Sequence, residues 1–189
     1  MLLLISSTMK RISLLFVIVL VGAAAQAQFS SAKLQASGLT CSLCSKAIFK
    51  ALTAIPFVDK VEADVATSGF DILFKEGANV DVDQLKKAVT DAGFSVAGLK
   101  IQAKLDGVAV QNDAHLTIQG KTYHFMNVKP QTLKGNVELT ILDKNFVPAK
   151  DFKKNAQYTK MKCYSTGVME ACCNKSGNAS GTRVYHVTI

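Results

Sequence analysis

The chain has 189 residues, enough for one ordinary domain or two small ones, and 22 Lys and Arg against 14 Asp and Glu give it a formal charge of +8. Apolar residues make up 49% and charged residues 19%, a balance that excludes an intrinsically disordered chain. Arginine occurs only at Arg11 and Arg183 and no recognition motif is present, so the basic excess does not point to nucleic acid.

Lys10 and Arg11 precede a continuous apolar run from Ile12 to Ala25, and Ala25-Gln26-Ala27 is a small-x-small site. This is the layout of a secretory signal peptide spanning residues 1–27, with Met9 fitting as its start and cleavage after Ala27. The run is short against the roughly 20 apolar residues that cross a bilayer; a retained N-terminal membrane anchor is the alternative. Export to the periplasm or beyond places the protein in an oxidising compartment. The five cysteines are Cys41, Cys44, Cys163, Cys172 and Cys173. An odd count leaves at least one thiol free, metal-bound or intermolecular.

Lys33 to Ser37 alternates and predicts a strand. Gly38-Leu39-Thr40-Cys41-Ser42-Leu43-Cys44 follows, with two thiols three positions apart. Ala47, Ile48, Ala51, Leu52 and Ile55 then fall at helical spacing, and Pro56 stops the helix. Cys41 is therefore expected on a loop and Cys44 in or near the first helical turn. Unpartnered amide N–H groups there favour a thiolate and lower its pKa, and Lys46 adds positive charge. Two such sulfurs suit a soft ion, Cu(I), Hg(II) or Zn(II), or dithiol–disulfide exchange. Val58 to Val65 and Phe70 to Phe74 alternate around Thr67-Ser68-Gly69 and predict a hairpin. Asp81, three residues before Gln84, reads as a helix start, with Leu85, Ala88, Val89 and Ala92 as the apolar stripe and Gly93 just past the end. Phe94 to Ile101 is a last strand. The order βαββαβ is the ferredoxin-like plait.

With these residues in hand, residues 28–102 resemble a heavy-metal-associated domain. That family includes copper chaperones, N-terminal modules of soft-metal P-type ATPases, and a periplasmic mercury-scavenging protein. Its Gly-Met-Thr-Cys-x-x-Cys pattern reads here as Gly38 to Cys44, and Ala92-Gly93-Phe94 agrees as well. The resemblance implies that Cys41 and Cys44 ligate the metal, that Thr40 and Leu39 support the loop, and that Phe94 shields it. Leu39 replaces the family's Met, a volume-conserving change with little expected effect on ligation. The resemblance also implies a soft-ion cofactor, with Cu(I) favoured over Hg(II) and Zn(II), and a metal-transporting membrane protein or other soft-metal acceptor as partner.

Residues 103–189 match no family by inspection. A hinge is expected near Gln102 to Lys104. Ala109-Val110, Leu116 to Ile118, Tyr123 to Phe125, Val137 to Ile141 and Val184 to Ile189 read as strands, with a turn at Gln119-Gly120-Lys121, a loop from Pro130 to Gly135, and helical turns at Ala149 to Asn155. Short strands at this spacing predict a small, mainly β domain, an OB-like barrel or sandwich. The fold class is α+β. The segment from Lys160 to Thr182 holds Cys163, Cys172, Cys173, Met161 and Met169. It reads as a disulfide from Cys163 to Cys172 or Cys173, or as a second soft-metal site. His115, His124 and His186 each lie on a predicted strand beside apolar neighbours. Each by itself reads as a surface or satisfied core residue.

The expected function is that of an exported metallochaperone, not an enzyme, which passes one ion to a partner by thiol exchange. A thiol-disulfide oxidoreductase is the alternative, and the plait order and the lack of proline between Pro56 and Pro130 argue against it. A scaffold with an oxidised Cys41–Cys44 pair is the other.

Overall fold

The computed structural model describes residues 27–39, 42–64, 66–170 and 181–189. Residues 1–26 of the expected signal peptide, Thr40, Cys41, Val65, Cys172 and Cys173 lie outside the described residues.

The N-terminal half is the plait. Strand β1 (Gln28–Ser37) leads to helix α1 (Ser42–Thr53), the hairpin β2 (Val58–Asp64) and β3 (Gly69–Phe74), helix α2 (Val82–Asp91) and strand β4 (Ser95–Val110). On β1, β3 and β4 the alternation read in the sequence is the alternation of burial. On β2 it is not, for only Val58 and Val61 are buried and Ala63 is exposed, with a register shift between Val58 and Lys60. Leu34 and Ala36 on β1, Phe70, Ile72 and Phe74 on β3, and Leu99 and Ile101 on β4 are all buried. Ile48 and Leu52 of α1 and Val82, Leu85 and Val89 of α2 cover that face. Each such Val, Leu, Ile or Phe side chain removed from water contributes about 1.5–3 kcal/mol before entropy is counted.

The ends of α2 follow from local chemistry. The Asp81 carboxylate accepts the backbone N–H of Asp83 at 2.9 Å and of Gln84 at 3.4 Å. Gly93 has φ +89°, its N–H donates to Thr90 O and the N–H of Phe94 donates to Val89 O. This pair of bonds closes a Schellman cap, whose left-handed residue excludes most side chains.

Beyond β4 the expected architecture is corrected. No hinge interrupts residues 102–104: β4 runs through them, because Ile101, Ala103 and Leu105 keep the buried alternation going. Nor do the following strands close into an OB-like barrel among the described residues. Strands β5 (Ala114–Ile118), β6 (Lys121–Phe125), β7 (Gln131–Ile141) and β8 (Val184–Thr188) extend the plait's own sheet. The result is eight strands in the order β2-β3-β1-β4-β7-β8-β6-β5. The joint is β7 on β4, antiparallel from Lys100 with Thr140 to Val110 with Gln131, with a register shift where Gly107 turns at φ +68°. The stretch read as a loop from Pro130 to Gly135 is largely the start of β7, paired with the far end of β4. A strand of 16 residues, nearly three times the usual length of about 5–6, offers β7 an edge that a separate domain would have left unpaired.

Helix α3 (Ala149–Asn155) lies where expected, followed by a 3₁₀ turn (Ala156–Tyr158) and the short helix α4 (Cys163–Thr166). The two halves share one core. Phe29 meets Tyr123 edge-on at 5.6 Å, and Tyr123 stacks on Tyr185 at 5.3 Å. At the β5–β6 turn the Gln119 side chain accepts the N–H of Val80 at 3.1 Å and donates to Ala78 O at 3.0 Å. It thereby ties the turn to the segment that leads into α2.

Candidate functional site

The Cys-x-x-Cys loop sits where β1 hands over to α1. Gly38 has φ +85°, a left-handed backbone state that favours glycine, and Leu39 is half-buried against the core. The loop then enters α1, which places Cys44 in the first helical turn with its side chain half-buried. Ser45 is buried, while Leu43 is 74% exposed and Lys46 is exposed. No acidic residue lies in the first turn of α1, so nothing there offsets the positive end of the helix dipole. Phe94 is half-buried, and its Cδ1 lies 3.9 Å from where a Cβ on Gly38 would sit. The α2 cap therefore delivers Phe94 to the base of the loop. Cys41 and Thr40 lie outside the described residues. Gly38 and Phe94 meet at the base of the loop, and Leu39, next to Gly38 in the chain, packs on the core.

The heavy-metal-associated domain family matches residues 33–95. These residues are a heavy-metal-associated domain. The chain is 27% identical over 111 residues to copper-transporting ATPase 1 of Rhizobium meliloti, covering 59% of this chain and 13% of that protein. It is 31% identical over 74 residues to the probable copper-transporting ATPase HMA5 of Arabidopsis thaliana, covering 39% of this chain and 7% of that protein. The chain thus spans a small fraction of the length of the curated relatives it matches. Among solved structures, oxidized MerP from Ralstonia metallidurans aligns at 32% identity and a TM-score of 0.33, over 36% of this chain and 97% of that one. The matched family segment ends at the start of β4 and leaves the C-terminal strands unassigned.

Those strands, with α4, gather histidine and cysteine side chains of the kinds that can hold a metal ion. His115 on β5 pairs directly with His124 on β6, and His124 pairs directly with His186 on β8. Partners in register project from the same face of a sheet. The His115 and His124 rings stack at 4.4 Å, and His186 meets His124 edge-on at 5.1 Å. Cys163, the first residue of α4, is buried with Sγ 3.6 Å from His124 Nδ1. Met161 and Met169 pack beside it. Burial pushes the His124 imidazole down to about 4, with His186 and His115 adding to the effect and Asp113 opposing it. Burial also lowers His115, with His186 beside it. Both rings are therefore neutral at pH 7.

Three histidines taken one at a time look unremarkable in the sequence, but a signal joining two of them was there. Gln119 and Gly120, at φ +49° and +73°, form a two-residue hairpin turn. A two-residue turn sets the register of its strands, and counting back from it puts His115 opposite His124. The addition of His186 rests on the parallel pairing of β6 with β8, which no local pattern announces. Of the expected partners for Cys163, both Cys172 and Cys173 lie outside the described residues.

Proposed function

We propose that this protein is an exported soft-metal-ion binding protein that holds one ion, Cu(I) in preference to Hg(II) or Zn(II), between the thiolates of Cys41 and Cys44. The protein passes that ion to an acceptor, a metal-transporting membrane protein or other soft-metal carrier. The observation that supports this reading most is the position of Cys44. It sits half-exposed in the first turn of a helix without acidic residues there, inside the segment that the metal-domain family matches. A dithiolate at a solvent edge binds a soft ion with two ligands. It also leaves room for a third sulfur from an acceptor, so the ion moves by ligand exchange without being released to solution. The exposed Leu43 beside it supplies an apolar contact for that acceptor. The reading assigns the protein no catalytic step.

Competition for Cu(I) between the reduced protein and a strong Cu(I) chelator tests it. Cys44→Ser is expected to weaken the tightest Cu(I) by at least about 100-fold. Because Cys44 lies outside the core, its thermal stability should stay within about 0.5 kcal/mol of the parent. A Cys44→Ser protein that holds copper as tightly as the parent would remove the loop from the function.

A further inference from the structure

We propose that His115, His124 and Cys163 form a second metal site, in the C-terminal half, which takes copper or zinc through imidazole nitrogen and thiolate. A ring nitrogen of each histidine and the Cys163 sulfur all lie within 4.8 Å of one another. An ion about 2.3 Å from sulfur and about 2.0 Å from nitrogen, at a tetrahedral angle, sets those two donors about 3.5 Å apart. Cys163 Sγ and His124 Nδ1 are 3.6 Å apart already. A small approach of the His115 ring would complete the set.

The surroundings favour ligation over a chance polar cluster. His124 donates through Nε2 to Asp113 Oδ1 at 3.0 Å, and Thr159 Oγ1 donates to the same oxygen at 2.6 Å. That bond fixes the tautomer and leaves the Nδ1 lone pair facing Cys163, the carboxylate–histidine arrangement that orients a metal ligand. The His186 ring is held the same way. Its Nδ1 donates to Asp143 Oδ1 at 2.9 Å, and its backbone N–H donates to Asp143 Oδ2 at 2.8 Å.

The other nitrogen of His186, Nε2, is buried with no hydrogen-bond partner, and so is His115 Nε2. His186 is fully buried. A buried polar atom without a partner is costly, and two in one cluster are what an ion would relieve. His186, against the edge of His124, is positioned as a further ligand or as a wall of the site. Imidazole suits copper, zinc, iron and nickel, whereas thiolate suits Cu(I) and zinc. The two sets overlap at copper and zinc.

The site is independent of the Cys-x-x-Cys loop, and the test keeps it so. The full chain carrying Cys41→Ser and Cys44→Ser is reduced, stripped of metal and titrated with Co(II), Zn(II), Cu(I) and Cu(II). One equivalent of Co(II) should give a sulfur-to-cobalt charge-transfer band in the near ultraviolet and shifted imidazole proton resonances. The band should disappear on adding Cys163→Ser, and affinity should fall at least about 10-fold with His124→Gln or with His115→Gln. It should survive Cys172→Ser together with Cys173→Ser. Competition between the zinc and copper arms names the ion. Should Cys163→Ser fail to fold, the imidazole resonances of the folded Cys41→Ser, Cys44→Ser chain decide the matter. Absence of a Co(II) band, absence of shifted imidazole signals, or loss of binding only with Cys172 and Cys173 overturns the proposal.

Discussion

Arg183 tests whether the two halves are one folding unit. Its Nε donates to Asp83 Oδ2 on α2 at 3.0 Å, and Nη1 donates to Asp143 Oδ1 and to Gly167 O, each at 3.2 Å. Nη1 also donates to Val184 O, and the guanidinium lies over the Tyr185 ring. Arg183→Met keeps the apolar stem and deletes the charge. The Asp83 contact is one-third exposed on both sides and contributes about 0.5–1 kcal/mol. Asp143 is only 3% exposed, and stripping one partner from a buried carboxylate costs about 3–5 kcal/mol. The His186 ring and backbone N–H groups remain on Asp143, which puts that loss at the low end or just below it. The total is about 3 kcal/mol, a drop of roughly 6–12 °C in Tm for a chain of this size.

Urea unfolding of the reduced, metal-free protein at pH 7 measures this loss by two probes. All four tyrosines, Tyr123, Tyr158, Tyr164 and Tyr185, lie in the C-terminal half, and there is no tryptophan. Tyrosine fluorescence therefore follows that half, while far-UV dichroism is weighted toward the longer helices α1 and α2. One core and a shared β4 require the two transitions to coincide in the parent. A loss below about 1 kcal/mol in Arg183→Met, or two separate transitions in the parent, refutes the reasoning.

Burial raises the Asp83 carboxyl, but Arg183 and Lys86 outweigh it and hold it at about 2, below its ordinary 3.8. The carboxylate therefore adds stability that is fully present above pH 3.8 and is lost as pH falls through about 2. Screened for its exposure, this amounts to on the order of 1 kcal/mol. Asp83→Asn should flatten the acid limb of a urea-midpoint profile between pH 4 and 2, and an unchanged limb would rule the pair out as a contributor. Asp81→Ala removes the α2 cap and the 3.1 Å ion pair with Lys121. A loss of about 1–2 kcal/mol is expected in the same urea assay, and the variant should keep the Cu(I) affinity of the loop.

Much of the plait was legible because its determinants are local. The Asp81 cap, the Gly93 stop, the alternation of β3 and the handover from Gly38 to α1 each lie within a few residues of sequence. The half-buried position of Cys44 follows from that handover. The hinge near Gln102 was misread because Gln102 and Lys104 look polar in isolation. In the fold they are the outward positions of a strand whose inward positions are Ile101, Ala103 and Leu105. The histidine cluster was legible in part, since the Gln119-Gly120 turn sets His115 against His124.

The sequence alone determined the βαββαβ order, the ends of α2 and the place of Cys44 at a helix start. Hydrogen bonds to near neighbours and the period of apolar residues decide these without reference to the rest of the chain. Only the tertiary structure decided that β7 joins β4, that β8 lies parallel to β6, and that Cys163 comes to rest 3.6 Å from His124. Those pairings join residues far apart in the chain. Which sheet edge a strand takes depends on the burial the whole fold gains from it, and no short window of residues carries that sum.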